Sequence, residues 1–252
     1  MAKEMVVDVD GHVVEPWNLW ERYMEEPFKA IGPKMVMDNR GHPRFMVEGK
    51  LLPKPEGKGA GNPFGVNGGG KKGYGEQNPE GLTPELRVKA MDLDGIDVGV
   101  LFPTQGLYIA AIENPKLATA VHRAYNDWLA DFVKAAPARF VGVAALPLQD
   151  VQEAVKEARR TVKEYDFKGM FVRPNPVYGR NLDDPAYDPL YAELQELDVP
   201  LMLHEGTSSG PLPAPGIERW DTYFHSHTIS HPAEQMLAAL AILGGGVCER
   251  FP

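Results

Sequence analysis

Apolar residues occur along this chain in short runs rich in Val, Leu, Met and Phe, and most of these runs are separated by stretches with helical spacing. The first run, residues 5–10, is followed by Gly11 and reads as a buried strand whose carboxyl end is polar. Residues 98–103, 140–146, 169–173 and 199–204 repeat the theme. Runs that are apolar throughout, rather than alternating, mark strands covered on both faces. The intervening helices carry their own punctuation. Thr83 caps one, with Pro84 at its first position and Gly95 at its end. Asn114 and Pro115 open another, to about residue 135, with Leu117, Val121, Tyr125, Trp128, Leu129 and Phe132 on one face. Asp150 caps a third through Ala154, Val155, Ala158 and Val162. Residues 185–197 and 232–243 supply two more, the last closed by glycines 244–246.

Strand and helix alternating, with crossovers of about thirty residues, force neighbouring strands to pair in parallel. The fold class is therefore α/β. The rhythm alone does not choose between a closed barrel and an open sheet. Five strands do not close a barrel of eight, and after the last helix and its glycines another buried strand is due where Glu249, Arg250, Phe251 and Pro252 stand. The chain is expected to be a fragment or an incomplete gene product.

Between about residues 17 and 83 the pattern dissolves. Glycines 57, 59 and 61 and the Gly68-Gly69-Gly70-Lys71-Lys72-Gly73 run are too dense for regular structure. Residues 40–82 are expected to be a flexible Gly-rich excursion, or a lid over a site, inserted after strand one of a single domain spanning 1–252.

Composition narrows the partners. Against 26 Lys and Arg stand 35 Asp and Glu, a net charge of −9, which disfavours nucleic acid and anionic membrane. Cys248 is the only cysteine, so neither an intramolecular disulfide nor a Cys-rich zinc site is possible. The amino terminus lacks a signal-peptide pattern, and the longest apolar stretch, 236–243, is too short to span a bilayer. A cytoplasmic protein is expected.

In parallel α/β folds the carboxyl ends of the strands face the site. Asp8, Asp10, His12 and Glu15 follow strand one, Thr104 and Gln105 strand two, Arg173 and Asn175 strand four, and His204 and Glu205 strand five. Residues two apart on a strand share a face, so Asp8, Asp10 and His12 are expected to line up. Carboxylate and imidazole at that spacing suit one divalent cation such as Zn, Mn or Fe, and His204 on the same rim would complete the set Asp10, His12, His204 with positions left open. The alternative is that the aspartates cap a loop and His12 sits in a turn. Glu15, Arg173, Glu205 and His227 are candidate substrate contacts. Arg173 could grip a substrate carboxylate or simply pair with a neighbouring acid. His225, His227 and His231 are placed in a polar loop and at a helix start, where histidines are often only solvated. Templates for dinucleotide, phosphate-loop or serine-elbow chemistry are missing.

Several segments together resemble one family: 6–16 (VVDVDGHVVEP), 91–98 (MDLDGIDV), 124–129 (AYNDWL), 140–143 with Leu146-Pro147, 169–175 (GMFVRPN), 199–205 (VPLMLHE) and 230–236 (SHPAEQM). Their order and spacing resemble the amidohydrolase superfamily, in the branch of aminocarboxymuconate-semialdehyde decarboxylase and the aromatic-acid decarboxylases. The resemblance implies a TIM-like (β/α) barrel, about five of its eight strands present, with one divalent metal. The family's Asp-x-His-x-His reads here Asp8-x-Asp10-x-His12, a carboxylate replacing the first imidazole, and its strand-five histidine maps onto His204. The family's proton-transfer residue and a further metal-binding Asp lie on later strands, past Pro252. The implied activity is non-oxidative decarboxylation of an aromatic or unsaturated carboxylic acid. Metal-dependent hydrolysis of a C–N or ester bond is the alternative, and an inactive truncated barrel that pairs with another chain is the rival from outside enzymology. The expected partners are a small carboxylate substrate and a second copy in a homodimer.

Overall fold

The structure, a computed structural model, describes residues 4–58, 60, 81–206 and 214–252. Its centre is a sheet of five parallel strands: β1 (Val7–His12), β5 (Val98–Phe102), β6 (Phe140–Ala145), β7 (Gly169–Val172) and β8 (Leu201–Leu203). These five are the expected ones, and they lie side by side in chain order. That order, with no reversal, is the order of a barrel wall; a doubly wound sheet would reverse at a switch point. The inner strands are buried throughout or nearly so, while β1 and β8, at the sheet's two edges, are half exposed, with Val9 at 64%.

The crossover helices start and stop where their caps dictate. In α2 (Pro84–Asp94) the Thr83 hydroxyl accepts the Leu86 N–H, and Gly95 ends the helix at φ 73°. In α3 (Pro115–Lys134) the Asn114 side chain accepts two N–H groups, and in α4 (Val151–Tyr165) Asp150 does the same. Each cap satisfies amide groups that have no partner inside the helix. All six apolar residues expected on one face of α3 are buried. The remaining crossover helix, α5 (Asp188–Leu197), follows a 3-10 turn at Pro185–Tyr187.

Three expectations are corrected. The stretch read as structureless holds α1 (Leu19–Tyr23) and an antiparallel sheet of β2 (Lys34–Met37), β3 (Pro43–Val47) and β4 (Lys50–Leu52). Phe45 of β3 is 1% exposed and packs on the Trp20 and Tyr108 rings. Asp38 closes the β2–β3 turn by accepting the Arg40 and His42 amides and binds the buried Arg44 guanidinium at 2.9 Å. The excursion expected over 40–82 is thus partly sheet, and its Gly-rich run at 61–73 lies outside the described residues. The last long helix, α6 (Tyr223–Gly244), starts nine residues before the expected Pro232, capped by Thr222, so His225, His227 and His231 lie on a helix. A short α7 (Val247–Arg250) follows. The third correction is in β1: its register shifts between Asp8 and Gly11, a bulge that breaks the two-residue alternation.

Candidate metal centre

The bulge sends Asp8 and Asp10 to different tasks. Asp8 turns toward α2, where its Oδ2 accepts from Arg87 at 3.2 Å, and its Oδ1 accepts the Asp10 amide at 3.1 Å. The expected common face of Asp8, Asp10 and His12 therefore does not form. Asp10 and His12 instead meet His204, from the end of β8, and these three are a group whose ligand atoms all lie within 4.8 Å of one another.

That meeting requires a curled sheet. β1 and β8 are separated by three strands, which on a flat sheet means roughly 19 Å at about 4.8 Å per neighbour. Two histidine side chains cannot bridge that span. Yet His12 Nε2 stands 3.1 Å from His204 Nε2, and Asp10 Oδ1 stands 3.2 Å from His204 Nε2 and 4.0 Å from His12 Nε2.

The opposite ring nitrogens decide what these atoms can be. His12 Nδ1 donates to the Pro103 carbonyl and His204 Nδ1 to the Glu205 carbonyl, each at 2.7 Å. A carbonyl only accepts, so each Nδ1 carries the proton and each Nε2 of a neutral ring is a lone pair. Burial keeps the rings neutral. It lowers His12, and it lowers His204 to about 4 together with the repulsion of a charged His12. Two lone pairs and a carboxylate oxygen converge with no hydrogen among them. They repel one another unless a cation lies between. Bonds of about 2.1 Å at tetrahedral or octahedral angles put neighbouring donors roughly 3.0–3.4 Å apart. Two of the three separations meet that, and the third closes with a small turn of Asp10, whose side chain is 69% exposed. Two imidazoles and one carboxylate form a donor set for Zn, Mn or Fe, and the residues fit one such ion.

Phe102 and Phe171 stand around His204, with ring centroids 5.4 and 6.4 Å from it, and give the centre an apolar wall. Neither phenylalanine was singled out from the sequence, although each is among the last residues of its strand before the rim. Arg87 was missed too; nothing in the helical pattern marks it.

The other candidates fall into separate places. Arg173, 3% exposed, pairs with Glu205 at 3.0 Å and donates to the Leu107 and Gly206 carbonyls at 2.8 and 2.6 Å. The salt bridge, one of the two readings left open for Arg173, forms. Glu15 is turned inward and held by three backbone amides. His227 lies on α6, its Nδ1 3.2 Å from the Tyr223 hydroxyl and its ring 4.3 Å from that of His231. Burial and the Arg173 charge both hold His231 below its ordinary value, so this face of α6 looks toward the Arg173 cluster. Glu234, one turn on and buried, is raised by burial and by the charge of Glu205. Ser208 and Ser209 lie outside the described residues.

Comparison with known proteins identifies the family. The amidohydrolase family profile matches residues 7–252. The chain is 30% identical over 169 residues to 2-amino-3-carboxymuconate-6-semialdehyde decarboxylase of Dictyostelium discoideum, covering 67% of this chain and 45% of that protein. It is 33% identical over 174 residues to gamma-resorcylate decarboxylase of Polaromonas sp. strain JS666, covering 67% and 52%. The chain thus spans about half the length of these curated relatives. A solved structure of 5-carboxyvanillate decarboxylase from Novosphingobium aromaticivorans with bound manganese superimposes with a TM-score of 0.68 at 21% identity, over 98% of this chain and 63% of that one. The chain therefore belongs to the amidohydrolase family, on the branch that includes aminocarboxymuconate-semialdehyde decarboxylase and gamma-resorcylate decarboxylase.

Proposed function

We propose that this protein is a divalent-metal-dependent, non-oxidative decarboxylase of a small aromatic or unsaturated carboxylic acid. The observation that carries the reading is the convergence of the Asp10, His12 and His204 donors with no hydrogen between them. These three residues would hold one ion, Zn, Mn or Fe. When bound, the ion supplies Lewis-acid polarisation of the substrate's carboxylate or phenolate oxygens. His12 and His204 serve as fixed ligands because their Nδ1–H groups are locked to carbonyls. Asp10, more exposed, can adjust its angle. Phe102 and Phe171, both buried, back the His204 ring and keep water from that side. The reaction breaks the bond between ring carbon and carboxyl carbon, releases CO2 and places a proton on the ring carbon. The names of the two curated relatives and the manganese in the 5-carboxyvanillate decarboxylase structure support the substrate class and the ion.

The test is metal analysis together with an assay on 2,6-dihydroxybenzoate. CO2 release that depends on added Mn2+ supports the reading; cleavage of amide or ester substrates without CO2 replaces it with metal-dependent hydrolysis. His204→Ala should lose the metal, and unchanged metal content would overturn the ligand set. A cytoplasmic location and a homodimer complete the proposal. Among the described residues no helix is long and apolar enough to cross a membrane. Sedimentation would test the homodimer.

A further inference from the structure

Glu15 lies three residues past His12, is 1% exposed, and carries a carboxylate bonded to three backbone amides. Its Oε1 accepts the amides of Thr104 and Gly106 at 3.1 and 2.8 Å, and its Oε2 accepts that of Gln105 at 2.8 Å. Those amides open the 3-10 turn Gln105–Ala111 that follows β5. The residue just before them, Pro103, provides the carbonyl that holds His12 Nδ1 at 2.7 Å. One residue earlier, the Phe102 carbonyl accepts the Val13 amide at 3.0 Å. Residues 102–106 are thus tied to residues 12–15 at successive points, and Glu15 is the anchor at the far end.

The packing leaves little slack. A Cβ on Gly106 would stand 2.7 Å from Pro103 Cβ and 2.9 Å from Glu15 Oε1, so the backbone can approach the carboxylate only because residue 106 is glycine. A buried carboxylate is expensive to keep ionised even with three amide donors. What its two oxygens bind is the backbone of one loop, so the group is explained by what it positions.

We propose that Glu15 is a positioning residue for the metal centre: by clamping Thr104–Gly106 it holds the Pro103 carbonyl against His12 Nδ1 and so keeps His12 Nε2 free for the ion. Glu15 does not touch the ion or the substrate. The proposal rests on the metal-centre reading above and goes further by naming what sets the ligand's tautomer and aim.

Two variants load the clamp from opposite sides. Glu15→Gln keeps the size but replaces one acceptor oxygen with an NH2 group that faces an amide donor. Gly106→Ala pushes the turn off the carboxylate. Each protein is titrated with Mn2+ alone by calorimetry, and the His12 ring nitrogens of the metal-free protein are read by 15N NMR. Both variants should weaken Mn2+ binding by about tenfold or more, as loss of groups that orient a ligand does. Both should turn a single Nδ1–H tautomer of His12 into a mixture. Asn126→Ala, which removes buried hydrogen bonds to Ala145 of β6, is the control: it should lower stability and leave Mn2+ affinity and the tautomer alone. Wild-type affinity with an unchanged tautomer in both clamp variants overturns the proposal, as does an equal loss in Asn126→Ala. If the wild-type protein binds no Mn2+, the metal reading falls, while the tautomer of the metal-free protein still decides the role of Glu15.

Discussion

Replacing Glu15 by Gln should change how stability depends on pH, in a direction the structure fixes. Burial pushes the Glu15 carboxyl from an ordinary 4.5 to about 7, against the pull of the Gly106 and Gln105 amides. Between those two values the folded protein holds a proton that the unfolded chain has released. Stability from this group is therefore fully present below about pH 4.5 and is lost as pH rises through about 7. At about 1.4 kcal/mol per pH unit, the loss is about 3 kcal/mol. Glutamine does not titrate. At low pH the variant should be the less stable of the two, because its NH2 faces an amide donor. As pH rises the gap should close by about 3 kcal/mol; the comparison is made in metal-free protein, where no bound ion adds to stability. The assay is urea unfolding followed by tryptophan fluorescence, in a chelator, at several values from about pH 4.5 to about pH 8.5. Every other titrating group is common to both proteins and cancels in the difference. A gap that stays flat within about 0.5 kcal/mol across that range would refute both the burial of the charge and its sign.

Two further outcomes follow from particular contacts. Asp8→Ala removes the acceptor of the Asp10 amide and the partner of Arg87; Mn2+ titration should show binding about tenfold weaker or worse, while the His12 tautomer, held from the other side, stays as it was. Asn126 is fully buried, accepts from the Ala145 amide at 2.8 Å and donates to the Ala145 carbonyl and to Glu157 at 3.0 and 2.8 Å; its replacement by Ala should cost about 2–4 kcal/mol because the strand end is left unpaired in the interior, read as a drop in Tm of roughly 5–15 °C.

The features legible in the sequence were those written in apolar spacing or in caps. The strands of the parallel sheet showed because each inner one is covered on both faces and so reads as an unbroken apolar run. The helices α2, α3 and α4 showed because Thr83, Asn114 and Asp150 each stand where a cap must. The start of α6 did not show, and its buried face explains why. That face is Ser226, Ser230, Glu234 and Ala238, stepping by four. The periodicity is helical but spelled in small and polar residues, so a search for apolar spacing passes over it, and Pro232 then looks like a first residue. The small sheet was hidden differently. β3 and β4 are joined by a tight turn at Glu48 and Gly49, both at positive φ, within a stretch whose many glycines and prolines read as loop.

Charge at strand ends carries two meanings. Glu15, Arg173 and Glu205 stand on the rim where chemistry is expected and are candidate substrate contacts, with a salt bridge as the open alternative for Arg173. Each is bonded to backbone or to another of the set. Arg173 reaches the loop after β5 through the Leu107 carbonyl and the loop after β8 through that of Gly206. Glu15 holds the same β5 loop from the side of β1. His12 and His204, which must meet within a few tenths of an ångström to share an ion, come from the two edge strands of the sheet. The charged rim residues tie the loops at these strand ends in place, since a buried charge with several directed partners tolerates little displacement before one of them is left unpaired. In a site assembled from opposite ends of a curled sheet, ionisable groups are therefore needed in two roles, and a strand-end position alone does not tell them apart; the hydrogen-bond partners do.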